Sequence, residues 1–195
     1  MNFAASLTRS FEALGLRGAP TLLRYLSRAL PAAGAATVTL PGGQEISFPA
    51  HDPYWCRYLY AGVPYEPDVE VILRRLAPGR VLIDCGANIG YWSVRAGELG
   101  FTAAIAIEAN GALIPYLTRN YDGPVIHAAV YSASGERLCF SGEGATGAIG
   151  ESGKPVQSIA LKDLDVDGPA VIKLDVEGAE IPAIEGAEGM DAVHI

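Results

Sequence analysis

VLIDCGANIG, residues 81–90, is an apolar run that closes on Asp84, followed by a glycine-bearing turn and the start of a helical pattern. Glycine lets a backbone turn sharply and approach a neighbour where a side chain would collide. Beyond the turn, Ile89, Trp92, Ser93, Ala96 and Leu99 recur at helical steps until Gly100 stops them. Outward from this unit, short apolar runs at 81–83, 103–107, 125–130, 170–174 and 192–195 alternate with helical stretches. Such alternation predicts an α/β fold whose mostly parallel sheet is covered on both faces.

The third-to-fourth connection breaks this rhythm. It runs through 138–140, the stretch GEGATGAIGESG at 142–153, and 156–161. This reads as an extra hairpin with a glycine-rich tip, either an ordinary surface loop or a lid over substrate. Upstream, TVTLPGGQEISF at 37–48 reads as a β-hairpin around Pro41-Gly42-Gly43. Residues 3–30 carry Phe3, Leu7, Phe11 and Leu14, then Leu22, Leu23, Leu26 and Leu30, at helical spacing. A helical cap on the main domain accounts for them better than a membrane-surface helix built on Arg9, Arg17, Arg24 and Arg28. The expected division is a cap and hairpin over 1–50 and a ligand-binding domain over 51–195.

Composition narrows the class. The chain has 195 residues, half of them apolar, which suits one sizeable core. A net charge of −8 argues against a nucleic-acid surface, which needs clustered Lys and Arg. No apolar run approaches the ~18 residues of a transmembrane helix. Cys56, Cys85 and Cys139 form no metal-binding spacing and read as reduced thiols in a cytoplasmic protein without a secretory signal.

The chemistry gathers at strand ends. Open α/β sheets bind ligands in the crevice beyond the carboxyl ends of their strands, where helix N-terminal N–H groups face the ligand. A dinucleotide fingerprint would need GxGxxG, yet this loop reads GANIG, with Asn88 at the position of the middle glycine. Asp84 just before it would repel a pyrophosphate but suits a ligand with an ammonium and a sulfonium. That favours S-adenosylmethionine over NAD, and disfavours an NAD-dependent oxidoreductase. Glu108 ends the second run twenty-four residues after Asp84, the spacing at which a carboxylate reaches a ribose diol. The fourth run ends in KLDVEGAE, residues 173–180. Glu177 and Glu180 suit a helix N-terminus, whereas Asp175 falls on the same rim as Asp84 and Glu108. Asp175 is therefore the first candidate for a base, acting directly or through a divalent metal such as Mg2+, and His127 is the second.

Together these pieces resemble the FkbM-type methyltransferases of the class I fold. The matching segments are PYEPD at 64–68, LIDCGANIGYWS at 82–93, Leu117 with Asn120, VQSIALKDL at 156–164, IKLDVEGAE at 172–180 and EGAE at 185–188. The resemblance implies a Rossmann-like methyltransferase sandwich and methyl transfer from S-adenosylmethionine to a hydroxyl of a sugar or polyketide-like acceptor. By position, Asp84, Gly86, Ala87, Asn88 and Gly90 would line the methionine end of the cofactor. Glu108, with Ala109 beside it, would take the ribose, and Ala129 and Val130 would lie near the adenine. Asp175 would sit at the reacting centre, and Glu66 would fold back toward the same pocket. Two departures stand out. Glu108 is followed by Ala109 and Asn110 where the family often has Glu-Pro, and the sequence stops at Ile195, inside the fifth run. The family adds two further strands and a helix there, so the last strands are expected to be missing, or supplied by another copy in a homo-oligomer. A non-catalytic module that binds cofactor or a partner is the competing expectation.

Overall fold

A computed structural model describes residues 34–60, 64–142 and 147–195. The helical stripes expected over 3–30 lie outside the described residues. The chain forms two compact units, Met1–Pro67 and Asp68–Ile195.

In the first unit, strands β1 (Ala35–Thr39) and β2 (Glu45–Pro49) pair antiparallel with Val38 opposite Ile46, as the hairpin pattern predicts. Gly43, at φ 87°, supplies the left-handed residue of the turn, and its N–H donates to the Leu40 carbonyl at 2.9 Å. Ile46 and Phe48 are fully buried. Helix α1 (Pro53–Trp55) follows, with Asp52 accepting from the Tyr54 N–H at 2.8 Å and Pro53 at the first position, where its missing donor costs nothing. A π-helical turn, Cys56–Tyr60, leads on, and the rings of Tyr54, Trp55, Tyr58 and Tyr65 pack with centroids 5.0–6.1 Å apart.

Helix α2 (Pro67–Leu76) spans the boundary between the units. The strands that follow are β3 (Val81–Cys85), β4 (Ala103–Glu108), β5 (Val125–His127), β6 (Ala129–Val130), β7 (Arg137–Ser141), β8 (Ala148–Gly150), β9 (Lys154–Ile159), β10 (Ala170–Leu174) and β11 (Ala192–His194). Helix α3 (Tyr91–Leu99) joins β3 to β4, α4 (Ile114–Asn120) joins β4 to β5, and α5 (Glu180–Glu185) joins β10 to β11. Five strands form one wholly parallel sheet in the order β11-β10-β3-β4-β5. The chain winds outward from β3 through β4 to β5, then returns to the other side of β3 with β10 and β11. This is the doubly wound, Rossmann-like α/β arrangement, and its topological switch point lies between β3 and β10.

The residues explain the sheet. All five side chains of β3 are buried, as are the first four of β10, the mark of parallel strands covered on both faces. On one face Ile83, Cys85, Ile107 and Ile172 pack with Leu161, Ala183 and Ala187. Each buried Ile or Leu among them contributes about 1.5–3 kcal/mol. On the other, Ala106 packs with Ala87 and Leu117.

The run at 125–130, read as one strand, divides at Ala128. Its second half, β6, leaves for another sheet, order β6-β9-β7-β8, in which β6 lies parallel to β9 and the rest is antiparallel. Part of the glycine-rich stretch is also ordered by pairing: Ala148–Gly150 forms β8 against β7. Three residues among glycines give no readable alternation, so only the cross-strand partner reveals the strand.

Helices α2 and α3 are tied by charge. The buried Arg95 guanidinium donates to both Glu70 oxygens at 2.8 and 3.0 Å, to both Glu98 oxygens at 3.1 Å and to the Tyr91 hydroxyl. Arg74 completes the cluster through Glu70 at 2.9 Å and Glu98 at 2.7 Å. Hydrogen bonds from Arg95 hold both carboxyls below their usual range, against the opposing pull of burial.

Candidate functional site

The loop after β3 turns inward upon the sheet. Gly86, at φ 74°, lies so close to the end of β10 that a methyl group there would strike the Asp175 carbonyl oxygen. The Asp175 N–H in turn donates to the Cys85 carbonyl at 3.1 Å. Glycine at 86 thus lets two neighbouring strand ends meet, a role distinct from admitting a ligand. The N–H groups of Gly86 and Ala87 both donate to the Ile107 carbonyl, at 2.9 and 3.0 Å. The Asn88 N–H donates to Glu108 Oε2 at 2.7 Å, with Asn88 in the left-handed region at φ 55° that short polar side chains tolerate. Gly90, at φ 88°, precedes α3 and donates to the Ala87 carbonyl at 2.7 Å, while Asn120 Nδ2 holds the Ile89 carbonyl at 2.7 Å.

These bonds use up the donors of the loop. The N–H groups of residues 86, 87 and 88 are turned to β4 and its Glu108, so they form no open cradle for a phosphate. A pyrophosphate site needs those donors free.

Strand register gathers the charges. Lys173 lies beside Asp84 on neighbouring strands, and side chains two residues apart on a strand share a face. Asp84 is fully buried; its Oδ2 accepts from the Ser93 hydroxyl of α3 at 2.7 Å. Its Oδ1 is 3.6 Å from Lys173 Nζ and has no hydrogen-bond partner. The same ammonium lies 3.5 Å from Asp175 Oδ2, so one buried cation is shared by two carboxylates. Asp175 itself is half exposed on the rim. Glu108, on the next strand end, is 6 % exposed, and its two oxygens accept from the Asn88 N–H at 2.7 Å and the Asn110 N–H at 2.6 Å. Burial pushes its carboxyl above the usual range, outweighing those two hydrogen bonds. The carboxyl ends of three adjacent strands, β10, β3 and β4, thus each carry a carboxylate.

Other sequence-predicted residues fall elsewhere. His127 is exposed on β5, three strand spacings of about 4.8 Å from β10, hence about 14 Å away in the plane of the sheet. Its Nε2 lies 3.2 Å from the Ala109 carbonyl, so it braces the turn after β4. Ala109 occupies that turn, half-buried, and Ala129 and Val130 are buried in β6. Glu66 belongs to the first unit and has φ 42°. Cys85 is fully buried beside Asp84, and burial pushes its thiol far up, which suits an inert core residue; like it, Cys56 and Cys139 are in no disulfide.

Two members of the site escaped the sequence reading as functional residues. Ser93 looked like one position of a helix stripe, and Lys173 had no readable partner. The i, i+2 spacing of Lys173 and Asp175 was the available signal, but only the β3–β10 register shows that Asp84 lies on the same face.

The residues can be tested against a metal and against S-adenosylmethionine. Among the described residues no three His, Cys, Asp or Glu side chains group to hold a metal ion. Between Asp84 and Asp175 stands an ammonium, which repels a divalent cation, so the site does not fit one. S-adenosylmethionine fits better: the orphan Asp84 Oδ1 has capacity for one more donor, and each Glu108 oxygen keeps a second lone pair. Asp84 is sealed in this structure, so a ligand donor would have to displace its neighbours to reach it directly.

Among the described residues no helix is long and apolar enough to cross a membrane. No protein-family model matches the chain, and no curated protein sequence matches it. Its fold is similar to the crystal structure of methyltransferase FkbM from Methylobacillus flagellatus KT, at 18% identity and a TM-score of 0.42. The match covers 71% of this chain and 40% of that one, so the chain spans less than half the length of the solved structure it resembles.

Proposed function

We propose that the chain is an S-adenosylmethionine-dependent methyltransferase that acts on a hydroxyl of a small-molecule acceptor, a sugar or polyketide-like compound. One observation carries the reading: carboxylates stand at three adjacent strand ends around the switch point, beside a loop whose N–H donors are already engaged. Such a rim attracts a ligand with hydroxyl and cationic donors and offers little to a pyrophosphate, which also speaks against NAD.

S-adenosylmethionine would supply a methyl group on a sulfonium, already activated for displacement by an oxygen. The protein's part is alignment and proton management. Asp84, with Gly86, Ala87, Asn88 and Gly90, is assigned to the methionine end. Glu108 takes ribose hydroxyls with its remaining lone pairs, with Ala109 beside it, and Ala129 and Val130 border the adenine. Glu66 is assigned to cofactor binding on the resemblance alone. Asp175, half exposed and directed by Lys173, accepts the proton of the acceptor hydroxyl; His127, on the far strand, is the weaker candidate.

Methyl-labelled S-adenosylmethionine, incubated with the chain and a panel of hydroxyl acceptors, tests this. Labelled ether product is expected, and Asp175→Asn lowers turnover on the order of 100-fold or more, with less than a tenfold change in cofactor affinity. Cofactor binding without transfer to any acceptor would support a non-catalytic module instead.

A further inference from the structure

Asn110, two residues past Glu108, is 6 % exposed. Its backbone N–H donates to Glu108 Oε1 at 2.6 Å, and its side-chain Oδ1 accepts from the Ala112 N–H at 3.1 Å. The second bond settles which end of the carboxamide is oxygen, because a backbone N–H can be met only by an acceptor. The amide nitrogen, Nδ2, is therefore the end turned away from Ala112. It donates to none of the described residues, and it is not sealed from solvent.

The turn that carries this donor is braced from β5. His127 Nε2 lies 3.2 Å from the Ala109 carbonyl, and a methyl group at Gly111 would stand 3.1 Å from the imidazole. Closing the turn onto the Ala112 N–H needs only a side-chain oxygen. Serine would supply one, and without setting a second charge beside Glu108. What asparagine adds is the NH2 group, which the turn does not use.

We propose that Asn110 is a cofactor-binding residue whose NH2 group donates to a ribose hydroxyl that Glu108 holds from its other side. The inference rests on the proposed cofactor and adds a specificity-determining residue to it. Each Glu108 oxygen accepts one backbone N–H and keeps a lone pair for a ligand donor. A carboxylate alone takes any donor, an ammonium included. A hydroxyl that donates to Glu108 still has lone pairs of its own, and an NH2 group is their complement. The acceptor and donor together therefore select a group that both donates and accepts, as a hydroxyl does and an ammonium does not. This divides the rim by chemistry: the end of β4 reads hydroxyls, and the end of β3, at Asp84, reads a cation.

Two measurements on the full chain test the assignment. In the wild-type chain, 15N labelling reports the Asn110 side-chain NH2 directly, and saturation with S-adenosylhomocysteine should shift its signal. The second measurement uses Asn110→Ser, which keeps an oxygen for the Ala112 N–H and removes the NH2 group. S-adenosylhomocysteine should bind this variant on the order of 5-fold more weakly than the wild type. The comparison is then repeated with the two S-adenosylhomocysteine analogues that lack the 2′- or the 3′-hydroxyl. With one of them the difference between variant and wild type should shrink below about twofold, because the hydroxyl that Asn110 meets is gone. An unmoved Asn110 signal on saturation overturns the proposal, and needs no variant to fold. Unweakened binding by Asn110→Ser overturns it too, as does a loss that persists in full with both analogues. Failure of the wild-type chain to bind S-adenosylhomocysteine overturns the cofactor reading, and this inference with it.

Discussion

The two faces of the parallel sheet are built on opposite terms. One face sets Ile83, Cys85, Ile107 and Ile172 against Leu161, Ala183 and Ala187, without a charge among them. The other carries Asp84, Lys173 and Glu108 at the carboxyl ends of strands β3, β10 and β4. Strand alternation alone makes this division, since each face takes every second residue. Its energetics are unequal. The apolar face gains from burial, whereas ion pairs taken out of water recover their desolvation cost only with good geometry, and apolar replacements are often as stable. Here the pair is loose: Lys173 Nζ lies 3.6 Å from Asp84 Oδ1, and that oxygen accepts no hydrogen bond. The proposed cofactor site is placed on this charged face, at the switch point of the sheet.

Substitution separates the two faces most sharply at Asp84. Asp84→Asn keeps the volume but removes one of the two carboxylates beside buried Lys173, so a loss of about 3 kcal/mol, the low end for a broken buried pair because Asp175 remains, is expected in urea denaturation. S-adenosylhomocysteine affinity should fall beyond detection in calorimetry. Gly86→Ala forces a methyl group against the Asp175 carbonyl at a positive φ, and about 2–3 kcal/mol should be lost because backbone must shift. Ile107→Val, on the apolar face, should cost about 0.5–1.5 kcal/mol by the same assay, with cofactor affinity unchanged within twofold. If it altered affinity as strongly as Asp84→Asn does, the division of labour between the faces would be wrong.

Acidification gives the smallest and most specific contrast. Glu70 and Glu98 have depressed folded pKa values through Arg95, so their contribution is present above the usual 4.5 and is lost as pH falls through the folded values. Glu108 is raised by burial, so its contribution runs the other way and stability is regained as pH falls through its folded pKa. Glu108→Gln removes that regain, and at every pH it also sets an amide NH2 against one of the two backbone N–H groups that Glu108 accepts. The variant should therefore lose more stability than the wild type between neutral pH and the carboxylate range, as read from urea midpoints.

Much of this is legible in the sequence. Alternating runs in the second half of the chain announced a parallel sheet, and β10 occupies the run read for it, 170–174. Gly100 stops α3 in a left-handed conformation, as its position after Leu99 implied. Asp84, Glu108 and Asp175 were found because a polar residue ending an apolar run is conspicuous. What sequence could not supply was pairing across strands. Ala128 gives no sign that the chain changes sheets there, and β8 is only three residues long. Lys173 could not be joined to Asp84 without the β3–β10 register, since eighty-nine residues separate them. Nor does GANIG reveal that its N–H groups bond to Ile107 and Glu108, because backbone direction is a property of the folded loop.

Calorimetric titration of the chain with S-adenosylhomocysteine, and separately with NAD, addresses the central claim most directly. One S-adenosylhomocysteine per chain should bind, with NAD giving no heat above dilution. Absence of S-adenosylhomocysteine binding, or NAD binding of comparable strength, would contradict the reading of the loop and its carboxylate rim as a methyl-donor site.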